Sequence, residues 1–338
     1  MSHLFRSKIT GTGFYVPEQI VPNSELQQHM NTTDEWIQER TGIKERRFFK
    51  EGQDTVSKMG ARASEIALER AGLKATDIDM VLFATLSPDY YFPGSGVLML
   101  RELGLAEIPA LDIRMQCSGF VYGLSVADQY IRTGMYKRIL VVGGEIQSNI
   151  FELSDRGRTM AVIFGDGAGA VVLEATHADD ENVILSTHLH SDGRFAEELM
   201  QQHPSSNNKV RLTKEMLDNG DLLPYMNGQL VFKHAVKRFP EVIKEALENN
   251  QLTVEDLDLL IPHQANIRIA EYVQQSMGLP AEKVYNNIHK YGNTTAASIP
   301  IALSEAVEMG KAKKGDLVCM AAFGSGFTWA SALVRWAY

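Results

Sequence analysis

EIALERAGLKATDIDMVLF (residues 65–83) and KEALENNQLTVEDLDLLIP (residues 244–262) decide the fold. Aligned without a gap at an offset of 179, they agree at six positions: Ala67/Ala246, Leu68/Leu247, Glu69/Glu248, Leu73/Leu252, Asp77/Asp256 and Asp79/Asp258. Apolar replacements such as Ile78/Leu257 and Met80/Leu259 extend the match. Each copy reads as an amphipathic helix, a short acidic turn and a buried strand. A second pair, AEIPALDI (106–113) and AEKVYNNI (281–288), follows at an offset of 175. The chain thus reads as a duplication. Its halves are expected to span 1–178 and 179–338. Helix and strand alternate in each, which predicts an α/β fold with a mainly parallel sheet under helices. Residues 195–225 are polar and weakly periodic and read as an elaborated loop.

Around this frame, composition narrows the function. The 338 residues allow about two domains and a large core. Thirty-three basic against 42 acidic residues leave a net charge of −9, which disfavours broad contact with nucleic acid or an anionic membrane. No window approaches the ~18 apolar residues of a membrane span. The opening MSHLFRSKITGTGFYVP has no apolar leader core. Two cysteines, Cys117 and Cys319, cannot form a disulfide framework and fit a reducing cytoplasm.

The duplication also directs attention to chemistry. The strand ending near 114 runs into Cys117, and the strand read at 283–288 runs into Asn293, close to the offset of the second repeat pair. Helical patterns follow both, so both are expected at helix N-termini related by a pseudo-two-fold axis. Strand 259–262 delivers His263 to the same sheet end, where open α/β sheets place their sites. Phe120, Val121, Leu124, Ala127 and Ile131 form the apolar stripe of the helix after Cys117. A thiol at such an N-terminus faces free N–H groups, which favour thiolate and a pKa of roughly 3.5–7.5. A buried, inert cysteine is the plainer reading, as are a core histidine and a turn asparagine.

These motifs together carry a resemblance. TTDEWIQERTGIKERR (32–47), CSGF (117–120), FGDGAGAVVLE (164–174), HLHSDG (188–193), IPHQANIRI (261–269), GNTTAAS (292–298) and FGSGFTWASALVRW (323–336) resemble the beta-ketoacyl-acyl-carrier-protein synthase III family of the thiolase superfamily. The resemblance implies a thiolase-like duplicated αβαβα layered fold and a cytoplasmic homodimer. It also implies decarboxylative condensation of an acyl-CoA with malonyl-ACP to begin fatty acid synthesis. On this reading Cys117, His263 and Asn293 are catalytic, and the backbone N–H groups of Cys117 and Ser325 form an oxyanion hole. Thr32, Trp36, Arg40 and either Arg156 or Arg158 would hold coenzyme A, with the adenine between Trp36 and Arg40. Phe92 would gate the acyl pocket across the dimer. Lys233 and Arg268 would dock the acidic carrier protein; Lys237 and Arg238 stay open as a solvated helix face. Coenzyme A enters as a thioester substrate, and no cofactor or metal is expected.

The chemistry matches those residue types. Thiolate suits thioester exchange, and each oxyanion donor is worth roughly 2.7–4 kcal/mol. A neutral imidazole and a carboxamide supply two N–H donors for the enolate left by decarboxylation. Several features depart from the family or point elsewhere. Arg114, Met115 and Gln116 replace the small residues usual before the nucleophile, so Gln116 and Arg114 are expected to line or reshape the acyl tunnel. Tyr291 replaces a common histidine. FGDGAGAVV is followed by a strand pattern and is rejected as a dinucleotide loop; Asp166 and its glycines read as a tight turn. Cys319, far back in an apolar strand, reads as core, which disfavours a two-cysteine thiolase. His188 and His190 alternate along a strand without further ligands. Rival functions are Cys117-linked acyl transfer, non-decarboxylative condensation of long acyl chains, and a silent acyl-CoA or carrier-protein binding module.

Overall fold

The computed structural model describes residues 5–338; the first four residues of the stretch read for a leader lie outside them. Two sheets carry the fold. The first contains β1 (Phe5–Tyr15), β2 (Met80–Ala84), β3 (Ala110–Ile113), β4 (Arg138–Glu145) and β5 (Gly167–His177). The second contains β6 (Ile184–Ser191), β7 (Leu259–Pro262), β8 (Leu317–Gly324) and β9 (Thr328–Arg335). The helices that matter are α1 (Asp34–Thr41), α2 (Val56–Ala71), α3 (Gly119–Arg132), α4 (Gly228–Asn249), α5 (Ile267–Met277) and α6 (Ser298–Glu308).

The strand order is β1-β5-β4-β2-β3 in the first sheet and β6-β9-β8-β7 in the second. The second order reproduces the first strand by strand: β4 begins at Arg138 and β8 at Leu317, the same offset that relates the two repeats. Where β3 has its counterpart, the second sheet has only a single parallel bridge, Leu260 to Val284. The strand read at 283–288 is therefore corrected to a 3₁₀ turn, that bridge and a short helix at Ile288–Tyr291. Its residues, VYNNI, lack the apolar run that a buried parallel strand needs. The sheets are also more mixed than expected. β2 pairs in parallel with β3 and β4, but β4–β5 and β5–β1 are antiparallel. In the second sheet β8–β9 closes by a tight turn, which only antiparallel neighbours allow.

The repeated aspartates do the same work twice. Asp79 accepts the Lys137 and Arg138 N–H groups at 2.8 and 2.9 Å, and Asp258 accepts the Leu317 N–H at 2.8 Å. Each carboxylate fixes the start of the strand beside its own. Asp77 and Asp256 close capping turns before β2 and β7.

Five layers result. α2 covers the outer face of the first sheet and α4 that of the second, while α3 and α6 both lie between the sheets. Phe120, Val121, Leu124, Ala127 and Ile131 are all fully buried, as their spacing requires. Burying each large apolar side chain stabilises the fold by about 1.5–3 kcal/mol. Residues 195–225 hold a two-residue strand at Leu199–Met200, which pairs with Tyr225–Met226 at the segment's far end, and a helix at Lys214–Asn219. No described helix is long and apolar enough to cross a membrane.

Candidate active site

Cys117 sits in a 3₁₀ turn, Gln116–Ser118, that leads from the end of β3 into α3. Gln116 adopts a left-handed φ of 44°, rare outside glycine. The second half repeats the bend at Thr295, φ 49°, in the turn Thr295–Ala297 before α6. Gln116 and Thr295 stand at the offset of the first repeat pair, so the counterpart of Cys117 is Ala296. The expected pairing of Cys117 with Asn293 is corrected: Asn293 lies just ahead of the bend.

Cys117, His263 and Asn293 nevertheless line one cavity of about 170 Å³. Cys117 is 9% exposed and His263 3%. Neither ring nitrogen of His263 has a hydrogen-bond partner among the described residues. Burial pushes the His263 pKa down to about 3, so the ring is neutral at physiological pH. Asn293 is oriented by its own turn, because its Oδ1 accepts the Thr295 N–H at 2.8 Å. That bond leaves the NH₂ edge free to donate. Its backbone is held by Ile163 and Gly165.

The thiol departs from expectation. Burial pushes Cys117 up to about 12, with the nearby Glu145 charge adding to it. The backbone N–H groups of Cys117 and Ser325, close to the sulfur, oppose the rise. Desolvation therefore outweighs the helix terminus, and the resting residue is a thiol. The Gly324–Ser325 backbone lies directly against Cys117. Gly324 permits this approach: a Cβ there would stand 2.6 Å from that of Cys117. The Ser325 hydroxyl donates to the Leu199 carbonyl, tying the loop to the 195–225 segment.

Two further cavities adjoin the first. One of about 300 Å³ shares Cys117, Phe164 and Leu199 with it and is lined by Gln116 and Arg114. Phe92 does not line it; that residue is 80% exposed on the surface. The other, about 610 Å³, shares Ile163, Gly228, Phe232 and Asn266 with the central cavity and reaches Trp36, Arg40 and Arg268. Asn266 caps α5 and donates to the Arg40 carbonyl at 2.9 Å, docking α1 beside the His263 loop. The Arg40 guanidinium carbon lies 4.7 Å from the Trp36 ring centroid. A base between them needs roughly 7 Å, two stacking distances, so Arg40 must swing aside to admit one. Arg158 lies 5.5 Å from the same ring, whereas Arg156 is ion-paired with Glu152. Geometry thus separates the two arginines and leaves Arg158 at the mouth. Thr32, half-buried next to the Asn31 that receives Arg158, has an unpartnered hydroxyl. Lys233 is exposed and unpaired among the described residues, while Lys237 and Arg238 both pair with Glu241.

The remaining motifs are structural. Cys319 is fully buried in the outer core of the second half. Asp166 knits a turn by accepting from Phe49, Gln147 and Ser148. His188 and His190 do meet a carboxylate, Glu245, at 3.4 and 2.7 Å. That trio is not arranged to hold a metal ion, and no group of three such side chains among the described residues is. Tyr291 donates to Glu305 at 3.0 Å.

Glu145 escapes a reading of the sequence. Fully buried at the end of β4, it accepts from Leu86, Ser87 and Gln147, and burial pushes it up to about 7. A signal is available: a polar residue ends an apolar strand, as His263 does.

Comparison with known proteins agrees with this geometry. Residues 111–193 match the family model described as 3-oxoacyl-[acyl-carrier-protein] synthase III, and residues 247–336 match that of its C-terminal part. Beta-ketoacyl-[acyl-carrier-protein] synthase III of Brucella suis is 44% identical over 98% of this chain and all of its own length. That of Xanthomonas campestris is 45% identical over 99% and 100%. The crystal structure of the Aquifex aeolicus 3-oxoacyl-[acyl-carrier-protein] synthase III superposes with a TM-score of 0.88 at 41% identity, covering 98% of this chain and 100% of that one. With duplicated thiolase-like sheets and matches of this extent, the chain belongs to the beta-ketoacyl-[acyl-carrier-protein] synthase III family of condensing acyltransferases.

Proposed function

We propose that this chain condenses an acyl-CoA primer with malonyl-ACP, with Cys117 as nucleophile and His263 and Asn293 as enolate donors. One observation carries the assignment of roles: the thiol, two unpartnered imidazole nitrogens and a free carboxamide edge open into one cavity between a mouth and a second chamber. In the first half-reaction Sγ attacks the thioester, a C–Sγ bond forms, the C–S bond to coenzyme A breaks, and the thiol proton ends on the departing sulfur. The N–H groups of Cys117 and Ser325 hold the tetrahedral oxyanion. Malonyl-ACP then enters. Its carboxylate leaves as carbon dioxide, and the electron pair passes to an enolate whose oxygen meets N–H groups of His263 and Asn293. The enolate carbon attacks the acyl carbon, the C–Sγ bond breaks, and the released Cys117 thiolate takes a proton from solvent to restore the resting thiol. A neutral His263 donates one proton to a hydrogen bond without carrying charge, which suits a transient anion.

Arg158 and Trp36 would engage coenzyme A at the mouth, and Lys233 and Arg268 an acidic carrier. A homodimer also fits. β3 is a sheet edge, Leu111 on it is 41% exposed, and Tyr91 and Phe92 nearby are 67% and 80% exposed. An edge strand beside an apolar patch invites a second copy, and Phe92 would then serve the partner's acyl chamber. A cytoplasmic setting fits both substrates. The test is intact-mass spectrometry with acyl-CoA alone, then with malonyl-ACP. An adduct on Cys117 that converts to 3-oxoacyl-ACP with release of carbon dioxide is expected. Product formation without an adduct overturns the nucleophile, and an adduct that never condenses favours simple acyl transfer.

A further inference from the structure

The chamber beyond Cys117 is walled unevenly. One side is apolar, with Leu86, Phe151 and Met160. The other side carries hydrogen-bond donors that nothing in the protein uses. Arg114, exposed at the chamber's rim, forms no ion pair or side-chain hydrogen bond among the described residues, and no acidic residue lines the chamber. The Gln116 side chain likewise has no partner there. The Thr295 hydroxyl is buried, 1% exposed, and unpartnered. Gln116 and Thr295 are also the two left-handed residues of the duplicated bends, so both halves direct a polar side chain to the same chamber. A buried hydroxyl left unmatched, as that of Thr295 is, is unfavourable, and native sites that keep one do so for a bound group; Arg114 and Gln116 beside it meet only solvent until such a group enters.

We propose that the primer of this enzyme carries an acceptor oxygen along its acyl chain, an oxo or carboxylate group, that the donors Arg114, Gln116 and Thr295 receive. This deepens the reading of Cys117 as acyl carrier and rests on it. A plain alkyl primer would leave the Thr295 hydroxyl unmatched and Arg114 and Gln116 to solvent, whereas an oxygenated one engages them and still packs its methylenes on the apolar wall. The guanidinium can serve a neutral ketone or, more strongly, a carboxylate.

Three primers of equal backbone length separate the cases: butanoyl-CoA, acetoacetyl-CoA and succinyl-CoA, each followed as the initial rate of adduct formation on Cys117 of the full chain. The expected result is that at least one oxygenated primer exceeds butanoyl-CoA by roughly tenfold in kcat/KM. Acetoacetyl ahead identifies a ketone, succinyl ahead a carboxylate. Arg114→Met and Gln116→Leu, tested separately, are expected to bring the oxygenated-to-alkyl ratio towards one. Butanoyl-CoA equal to or faster than both oxygenated primers in the unmodified protein overturns the proposal without needing any variant. A preference that survives both substitutions overturns the assignment to Arg114 and Gln116. Absence of an adduct from all three primers overturns the nucleophile reading itself, which distinguishes the two failures.

Discussion

The two halves bend their chains alike at Gln116 and Thr295 and differ at the next residue: Cys117 in one, Ala296 in the other. The strand ends that meet these bends differ reciprocally. Gly324, ending β8, lets the backbone come up against Cys117. Its counterpart in the first half is Glu145, ending β4, whose carboxylate approaches the Ala296 N–H at 3.5 Å. One bend thus faces free backbone donors and a cavity, while the other is filled by a buried carboxyl that braces the frame. Duplication supplies the same rigid corner twice. Chemistry needs only one of them emptied, and the other is free to become scaffold and to contribute Asn293 from just ahead of its bend.

The sharpest way to break this comparison is to move the sulfur. Cys117→Ala should abolish the acyl adduct entirely, and adding Ala296→Cys should not restore it, as intact mass will report; an adduct at position 296 would make the corners equivalent. Next, Asn293→Ala should lower malonyl decarboxylation about 10²–10³-fold while acylation of Cys117 changes only a few-fold. Equal loss of both half-reactions would mean that Asn293 holds the corner rather than the enolate. Gly324→Ala should reduce stability by about 1–3 kcal/mol through overpacking against Cys117, read as a fall in Tm.

Titration offers a subtler contrast, because the halves bury opposite kinds of group. His263 has a folded pKa near 3, below its ordinary value of about 6.5. The stability linked to its neutral burial is present above pH ~6.5 and is lost as pH falls towards 3. Glu145 has a folded pKa near 7, above its ordinary 4.5. Its contribution is full below pH 4.5 and is lost as pH rises through 7. Glu145→Gln should therefore flatten the decline of Tm between pH 4.5 and 7 without touching the acid limb, by an amount on the order of a few kcal/mol at most. Smallest of all, Lys233→Glu should raise KM for malonyl-ACP about threefold, with the difference fading at high salt and acylation by acyl-CoA unchanged.

Much of this is legible in the sequence. The 65–83/244–262 repeat holds because its aspartates bind strand starts, a local task that leaves a local mark. The placement of Cys117 and His263 follows from apolar strands ending in a reactive side chain. What stays hidden depends on contacts between distant segments. Strand and motif spacing alone point to Asn293 as the mate of Cys117, since the left-handed bends that fix the true register leave no compositional trace when Gln and Thr occupy them. The thiol's resistance to ionisation arises from burial beneath Phe323, Gly324 and Leu199, none adjacent in sequence. The strand read at 283–288 is over-read because its repeat partner, AEIPALDI, does carry one, whereas Asn286 and Asn287 break the apolar run here.

Leu199 touches both the central cavity and the acyl chamber, and its carbonyl receives the Ser325 hydroxyl. Widening the chamber by shifting this residue would therefore slacken the loop that sets the Ser325 N–H beside Cys117. Cargo size and turnover are geared together through a single peptide unit, so variants selected for bulkier primers should lose speed unless the loop finds another anchor.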